Sequence, residues 1–121
     1  MLIGSSTSHK LQVVTSAAAD IEVAGSVITT DTSTPPVPQA LVPLIAASIV
    51  TATPTDLLTG AASTIKRVME MSLRNNHAST TCDVTVQRTD GTNTDTVIKA
   101  SLLAGEMLLY TGATWQHFDV N

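Results

Sequence analysis

Two runs of alternating apolar and polar residues, separated by a turn signal, constrain the fold of this chain more than any other feature. Apolar side chains occupy every second position in residues 82–86 and again toward the end of residues 96–102. The Asp-Gly-Thr-Asn sequence at residues 90–93 lies between the runs. It is typical of a tight hairpin, because Gly and Asn adopt positive φ at low cost. The pattern predicts two paired antiparallel strands, each with one buried face.

The rest of the chain has the same character. Thr and Ser are abundant, whereas Glu and Lys, the usual residues of helix surfaces, are scarce. Thr favours strands, and Ser, Asn and Gly favour turns. Further strands are expected at residues 10–14, 21–30, 48–53, 107–110 and 115–120. Short strands with turn residues between them predict one all-β domain over residues 1–121, an antiparallel β-sandwich of jelly-roll-like type.

Residues 64–74 are the one segment that contains many helix-forming residues. Met69, Met71 and Leu73 nevertheless alternate with polar residues, which favours a strand over a helix. The alternation changes phase at Val68 and Met69, and this change predicts a β-bulge there.

The composition indicates a core of small side chains. Apolar residues make up 43% of the 121 residues and aromatic residues only 2%, namely Tyr110, Trp115 and Phe118. The core is therefore expected to consist of Val, Ile, Leu, Ala and Met. Because a short chain with a thin core is often stabilised by association, we expect a homo-oligomer.

A proline-rich segment at residues 31–46 interrupts the strand pattern. Proline lacks a backbone donor and favours extended, unpaired chain, so the segment is interpreted as a long loop or arm. Its second half is apolar, and it either folds over its own sandwich or contacts a neighbouring subunit. The amino-terminal residues 2–9 are a second candidate tether. The expected interface residues are Leu2, Ile3, Pro35, Pro36, Val37, Pro38, Leu41, Val42, Pro43, Leu44 and Ile45.

Charge and hydropathy argue against several partners. The formal net charge is −4 and no run of Lys or Arg is present, so nucleic-acid binding is not expected. The apolar residues 40–50 are interrupted by Pro43 and are too short to span a membrane. The start of the chain lacks the pattern of a signal peptide, which predicts a protein made in the cytoplasm.

Cys82 is the only cysteine, so it forms no intrachain disulfide and is expected to be a buried, inert thiol.

No catalytic, metal or cofactor motif is found in the sequence, and no enzyme is predicted. His9, His77 and His117 stand in no metal-binding spacing with another His, Cys or acid. Residues 90–95 superficially resemble a calcium loop but lack its glycine and its distal glutamate. His117 alternates with Trp115 and is expected on the outer face of an edge strand.

Residues 72–119 resemble a recurring pattern in small structural proteins of tailed bacteriophages. The pattern consists of Leu-Arg-Asn-Asn-His-Ala-Ser at residues 73–79, Val-Thr-Val at 84–86 with Asp-Gly-Thr at 90–92, Lys-Ala-Ser-Leu-Leu-Ala-Gly-Glu at 99–106, and then Leu108, Tyr110 and Trp115. The opening residues 6–11 are also similar to this group. The resemblance implies a compact antiparallel fold and a place in the virion, with no catalytic role.

The expected function is that of a capsid decoration or cement protein. Such a protein stabilises the shell through apolar burial and strand or arm exchange at a symmetric interface. The partners would be the major capsid protein or other virion proteins, in a particle assembled in the host cytoplasm. One alternative is a tail, neck or fibre-associated protein. The other is a carbohydrate- or receptor-binding β-sandwich, which requires Trp115 to be exposed.

Overall fold

The chain folds as two antiparallel sheets without a helix in the described residues. The computed structural model describes residues 1–16, 20–32, 38–50 and 52–119. The strands in these residues are β1 (Leu2–Ile3), β2 (Lys10–Thr15), β3 (Ile21–Asp31), β4 (Pro38–Ile49), β5 (Thr55–Thr59), β6 (Thr64–Asn75), β7 (Cys82–Thr89), β8 (Thr94–Leu102), β9 (Met107–Tyr110) and β10 (Trp115–Phe118). The prediction of an all-β chain is confirmed, and the two sheets are those of a β-sandwich.

Strand order distinguishes the two sheets. The six-stranded sheet has the order β10-β9-β6-β3-β4, and β1 pairs with β6 outside this path. The four-stranded sheet has the order β5-β2-β7-β8. The longest pairing joins β3 to β6, from Ile21 opposite Asn75 to Asp31 opposite Thr64. The chain passes repeatedly from one sheet to the other, and this places residues distant in sequence on facing surfaces.

The core lies between the sheets and consists mainly of aliphatic side chains, as the composition predicts. The four-stranded sheet contributes Leu11, Val13, Val84, Val86 and Leu102, and the six-stranded sheet contributes Val23, Val27, Met71, Leu73 and Leu108. Cys82 is fully buried among them, as expected. Close packing of these aliphatic groups supplies most of the driving force for folding.

The predicted hairpin at residues 90–93 joins β7 to β8. The Asp90 carboxylate accepts the backbone N–H groups of Thr92 at 2.8 Å and Asn93 at 2.7 Å. These hydrogen bonds hold the pKa of Asp90 below its usual value. Gly91 has φ of 95°, a conformation that favours glycine. The Asp90 hydrogen bonds and the positive φ of Gly91 therefore give the tight turn that the sequence predicts.

The predicted bulge in β6 is present. Ser26 of β3 pairs with Glu70, and the next residue, Val27, pairs with Val68, so Met69 is the additional residue. Val68 and Met71 point into the core, whereas Met69 and Glu70 are both exposed. The expectation that Met69 shares a face with Met71 is therefore wrong, because the bulge turns Met69 outward.

The interpretation of residues 31–46 as a loop or arm requires correction. Asp31 ends β3, and residues 38–46 belong to β4, which pairs with β3 along its length. β4 is the edge strand of its sheet, where proline is tolerated because one side of the strand has no hydrogen-bonded neighbour. β4 ends at Ile49 and β5 begins at Thr55, so the strand expected at residues 48–53 is also misplaced. Residues 33–37 lie outside the described part of the chain.

One buried asparagine joins the two sheets. Asn75, the last residue of β6, is 0% exposed. Its side-chain amide donates to the carbonyls of Thr80 at 2.8 Å and of Leu102 at 3.0 Å, and its side-chain oxygen accepts the His77 N–H at 3.1 Å. Leu102 ends β8 of the opposite sheet. The Asn75 side chain therefore connects the end of one sheet to the end of the other and orders the connecting loop.

We expect Asn75→Ala to lower the free energy of unfolding by roughly 2–4 kcal/mol, because it leaves buried carbonyl groups without a donor. Urea denaturation followed by Trp115 fluorescence measures the change. Asn76→Ala is the matched control, since the Asn76 side chain contacts only the exposed Glu22 carboxylate among the hydrogen bonds described. A loss at Asn75 no larger than at Asn76 would contradict the role assigned to Asn75.

Candidate functional site

The outward surface of the six-stranded sheet carries several exposed apolar side chains, together with the charged residues Glu22, Arg67, Glu70 and Arg74. Directly paired residues of neighbouring strands share a face, and one outward row runs from Leu41 through Ile28 and Arg67 to Leu2. A second row runs from Ile45 through Ala24 and Ser72 to Leu109. The exposed large apolar side chains of this surface, here called the apolar face, are Leu2, Leu41, Ile45, Ile65, Met69 and Phe118.

The apolar face contains a groove of about 540 Å³. Its apolar lining comes from Leu2, Ile28, Ile65 and Met69. Met69 reaches this surface only because the bulge in β6 turns it outward. Ile45 is 72% exposed and Leu41 is 67% exposed, so both are available for contact with another molecule. Exposed apolar side chains that cluster on one surface are typical of a protein-protein contact.

The outward surface of the four-stranded sheet is polar instead. Its exposed and half-buried side chains include Asp83, Thr85 and Gln87 of β7 and their partners Ser101, Lys99 and Thr96 of β8. A polar ladder crosses β7, β2 and β5: Gln87 donates to Gln12 at 2.9 Å, and Gln12 donates to Asp56 at 2.7 Å. Lys10 also donates to Asp56, at 2.9 Å. This surface has the alternation expected of a sheet that faces water.

The structure divides the predicted interface residues into three groups. Leu2, Leu41, Pro43 and Ile45 are exposed or half-exposed on the outward side of the six-stranded sheet, and Val42 is 43% exposed at its edge. Ile3 and Leu44 are buried in the core, so neither is available to a partner in this conformation. Pro38 begins β4, and its side chain is not described. Pro35, Pro36 and Val37 lie outside the described residues.

The amino-terminal segment is also part of the fold. β1 pairs with β6, and Ile3 contributes to the core. The Met1 amino group donates to the Tyr110 hydroxyl at 2.9 Å. Its pKa is lowered, first by burial and then by the positive charges of Arg67 and Arg88. Residues 1–3 are therefore held by their own chain.

Three titratable groups that are separated in sequence meet at one edge of the six-stranded sheet. His117 Nε2 lies 3.2 Å from Glu106 Oε1 and 3.5 Å from Asp119 Oδ1. Glu106 is buried, at 3% exposure, and the other two are exposed. Sequence analysis missed this cluster because Glu106 lies in the turn before β9 and the other two follow in and after β10. His117 and Asp119 lie two residues apart, but this spacing alone does not indicate a site.

The position of Trp115 also differs from expectation. Trp115 pairs with Tyr110 and His117 pairs with Leu108, and both partners are buried. The side chains of Trp115 and His117 therefore lie on the inner side of the sheet edge, and their expected place on the outer face is wrong. The rings of Trp115 and Tyr110 have centroids 5.0 Å apart. Trp115 is half-buried and packs against the core.

Comparison with known proteins identifies no relative of this chain. The chain matches no protein-family model, no curated protein and no solved structure. Within the described residues, no helix has the length and hydropathy needed to cross a membrane.

The polar ladder is expected to make stability depend modestly on pH. Hydrogen bonds from Lys10 and Gln12 lower the pKa of Asp56. A carboxyl group whose pKa is lowered on folding stabilises the protein above its unfolded-state pKa, and this contribution is lost as the pH falls through the folded-state value. Asp56→Asn should therefore cost about 0.2–1 kcal/mol at neutral pH, since the pair is solvent-exposed. Urea unfolding should show the difference shrinking as the pH is lowered below the ordinary pKa of 3.8, and a constant difference would contradict this account.

Proposed function

We propose that this chain is a structural protein of a tailed-phage particle, and that it acts as a capsid decoration or cement protein. In this function it binds neighbouring shell subunits through the apolar face and so stabilises the shell. The contrast between the apolar outward face of the six-stranded sheet and the polar outward face of the four-stranded sheet carries the proposal. A sheet face that meets only water is expected to present mainly polar side chains outward.

The energetics of the apolar face support a function in assembly. Leu41 and Ile45 are 67% and 72% exposed, so most of each side chain is still available for burial. Burying the remainder contributes about 1–2 kcal/mol for each residue. Because β4 is already paired with β3 from end to end, the binding we propose occurs through a preformed surface. Arm exchange, which would require β4 to leave its sheet, is not needed.

The resemblance of residues 72–119 to tailed-phage structural proteins supports the placement in a virion. The jelly-roll-like interpretation of the sandwich is part of the same proposal. It is supported by the path of the chain, which changes sheets after β1, β2, β4, β5, β6 and β8. The hairpins β3-β4, β7-β8 and β9-β10 each stay within one sheet.

Copy number in purified particles tests the function directly. We expect quantitative mass spectrometry to find this chain at a simple ratio to the major capsid protein. A few copies per particle would overturn the cement function in favour of a tail, neck or fibre station. Complete absence from particles would overturn the virion assignment itself.

The apolar face is tested separately with the double variant Leu41→Ser, Ile45→Ser. We expect its affinity for chain-free shells to fall by roughly 30- to 700-fold, which corresponds to the loss of about 2–4 kcal/mol of apolar burial. Thermal stability should change little, because both side chains are exposed. The matched control is Thr96→Ser, Lys99→Ser on the polar face. Equal binding by both double variants would show that the apolar face is not the contact surface.

A further inference from the structure

The cluster of Glu106, His117 and Asp119 has the geometry of a metal-binding site. The three ligand atoms all lie within 4.8 Å of one another. His117 Nε2 is 3.2 Å from Glu106 Oε1 and 3.5 Å from Asp119 Oδ1. In a tetrahedral zinc site with bonds of about 2.0–2.1 Å, neighbouring ligand atoms are roughly 3.3–3.4 Å apart. The two measured separations lie on either side of this value.

The backbone holds the buried ligand in place. The Glu106 N–H donates to the Leu103 carbonyl at 3.0 Å, and the Glu106 carboxylate accepts the Leu103 N–H at 2.8 Å. The Glu106 carbonyl accepts the Asn75 N–H at 3.0 Å. The carboxylate is thus fixed by a tight turn with its Oε1 atom directed toward His117. Metal sites depend on this kind of orientation by neighbouring groups.

Strand register brings the second carboxylate to the same point. Phe118 pairs with Met107. Glu106 immediately precedes β9 and Asp119 immediately follows β10, and their carboxylate oxygens lie within 4.8 Å of each other. Two carboxylates this close repel. A cation between them removes this repulsion, and the His117 imidazole lies where it supplies a third ligand.

We propose that Glu106, His117 and Asp119 bind a divalent transition-metal ion, with Zn²⁺ the best match. Imidazole nitrogen favours zinc over magnesium and calcium, and carboxylate oxygen completes a common zinc ligand set. The ion links the turn before β9 to the end of β10, the edge strand of the six-stranded sheet. The exposure of His117 and Asp119 leaves one side of the site open to water or to a ligand from a neighbouring protein. Within β10, the apolar-face residue Phe118 lies between the ligands His117 and Asp119, whereas Leu41 and Ile45 lie at the opposite edge of the sheet.

Zinc titration of the metal-free full-length chain tests the proposal, with binding followed by calorimetry and by ¹⁵N–¹H NMR. We expect one equivalent to bind and the shift changes to be confined to residues 103–106 and 115–119. His117→Gln and Asp119→Asn should each weaken binding at least tenfold. Both positions are exposed, and unchanged resonances elsewhere will show that the variants are folded. Glu106 is not substituted, because its burial makes loss of fold the expected result.

His9→Gln and Asp83→Asn are the matched controls and should bind zinc like the unaltered chain. Absence of binding at millimolar zinc would overturn the proposal and leave the cluster as an ion pair between His117 and the two carboxylates. Shift changes around His9 or His77, or equal affinity in His117→Gln, would also overturn it, because the ion would then be bound elsewhere.

Discussion

The hydrogen bonds of Asn75 are the constraint on which the rest of the structure depends. Its side chain binds the carbonyl of Leu102 at the end of the opposite sheet, and its backbone binds the turn that contains Gly105 and Glu106. A buried amide is stable only when its donors and acceptors are paired, so the position of Asn75 fixes the positions of its partners. Asn75 thereby ties the end of β6 to the end of β8 in the opposite sheet and to the turn before β9.

The packing of the two sheets against each other also determines which side chains face solvent. Once Val68, Met71 and Leu73 face the core, the bulge in β6 sends Met69 outward to join Leu2, Ile28 and Ile65 in the groove. The four-stranded sheet also has register shifts, at Leu57 and Val97, but these side chains pack partly against the core, and the outward side carries the polar ladder. The difference between the two faces therefore lies in which side chains the strands turn outward. It directs the proposed assembly contact to one sheet only.

The edge strands of the six-stranded sheet expose side chains to possible partners, and β4 also limits uncontrolled strand addition. β4 places Pro43 at the edge of the six-stranded sheet, where a residue without a backbone donor limits uncontrolled strand addition. At the other edge, β10 ends beside the turn that contains Glu106. Leu41 and Ile45 of the apolar face thus lie at the opposite edge of the sheet from the proposed zinc site, whereas Phe118 lies beside its ligands. Substitutions in β4 therefore test the apolar face without altering the zinc ligands.

The sequence by itself determined the all-β class, the hairpin at residues 90–93, the bulge near Met69 and the burial of Cys82, because each depends on composition, local alternation or turn chemistry. It misassigned residues 38–46, since a proline-rich segment is compatible with both a loop and an edge strand, and only pairing with β3 decides between them. Only the tertiary structure brought Glu106 to His117 and Asp119. The sequence separates Glu106 from His117 by ten residues, and strand register, which local pattern does not specify, closes that distance.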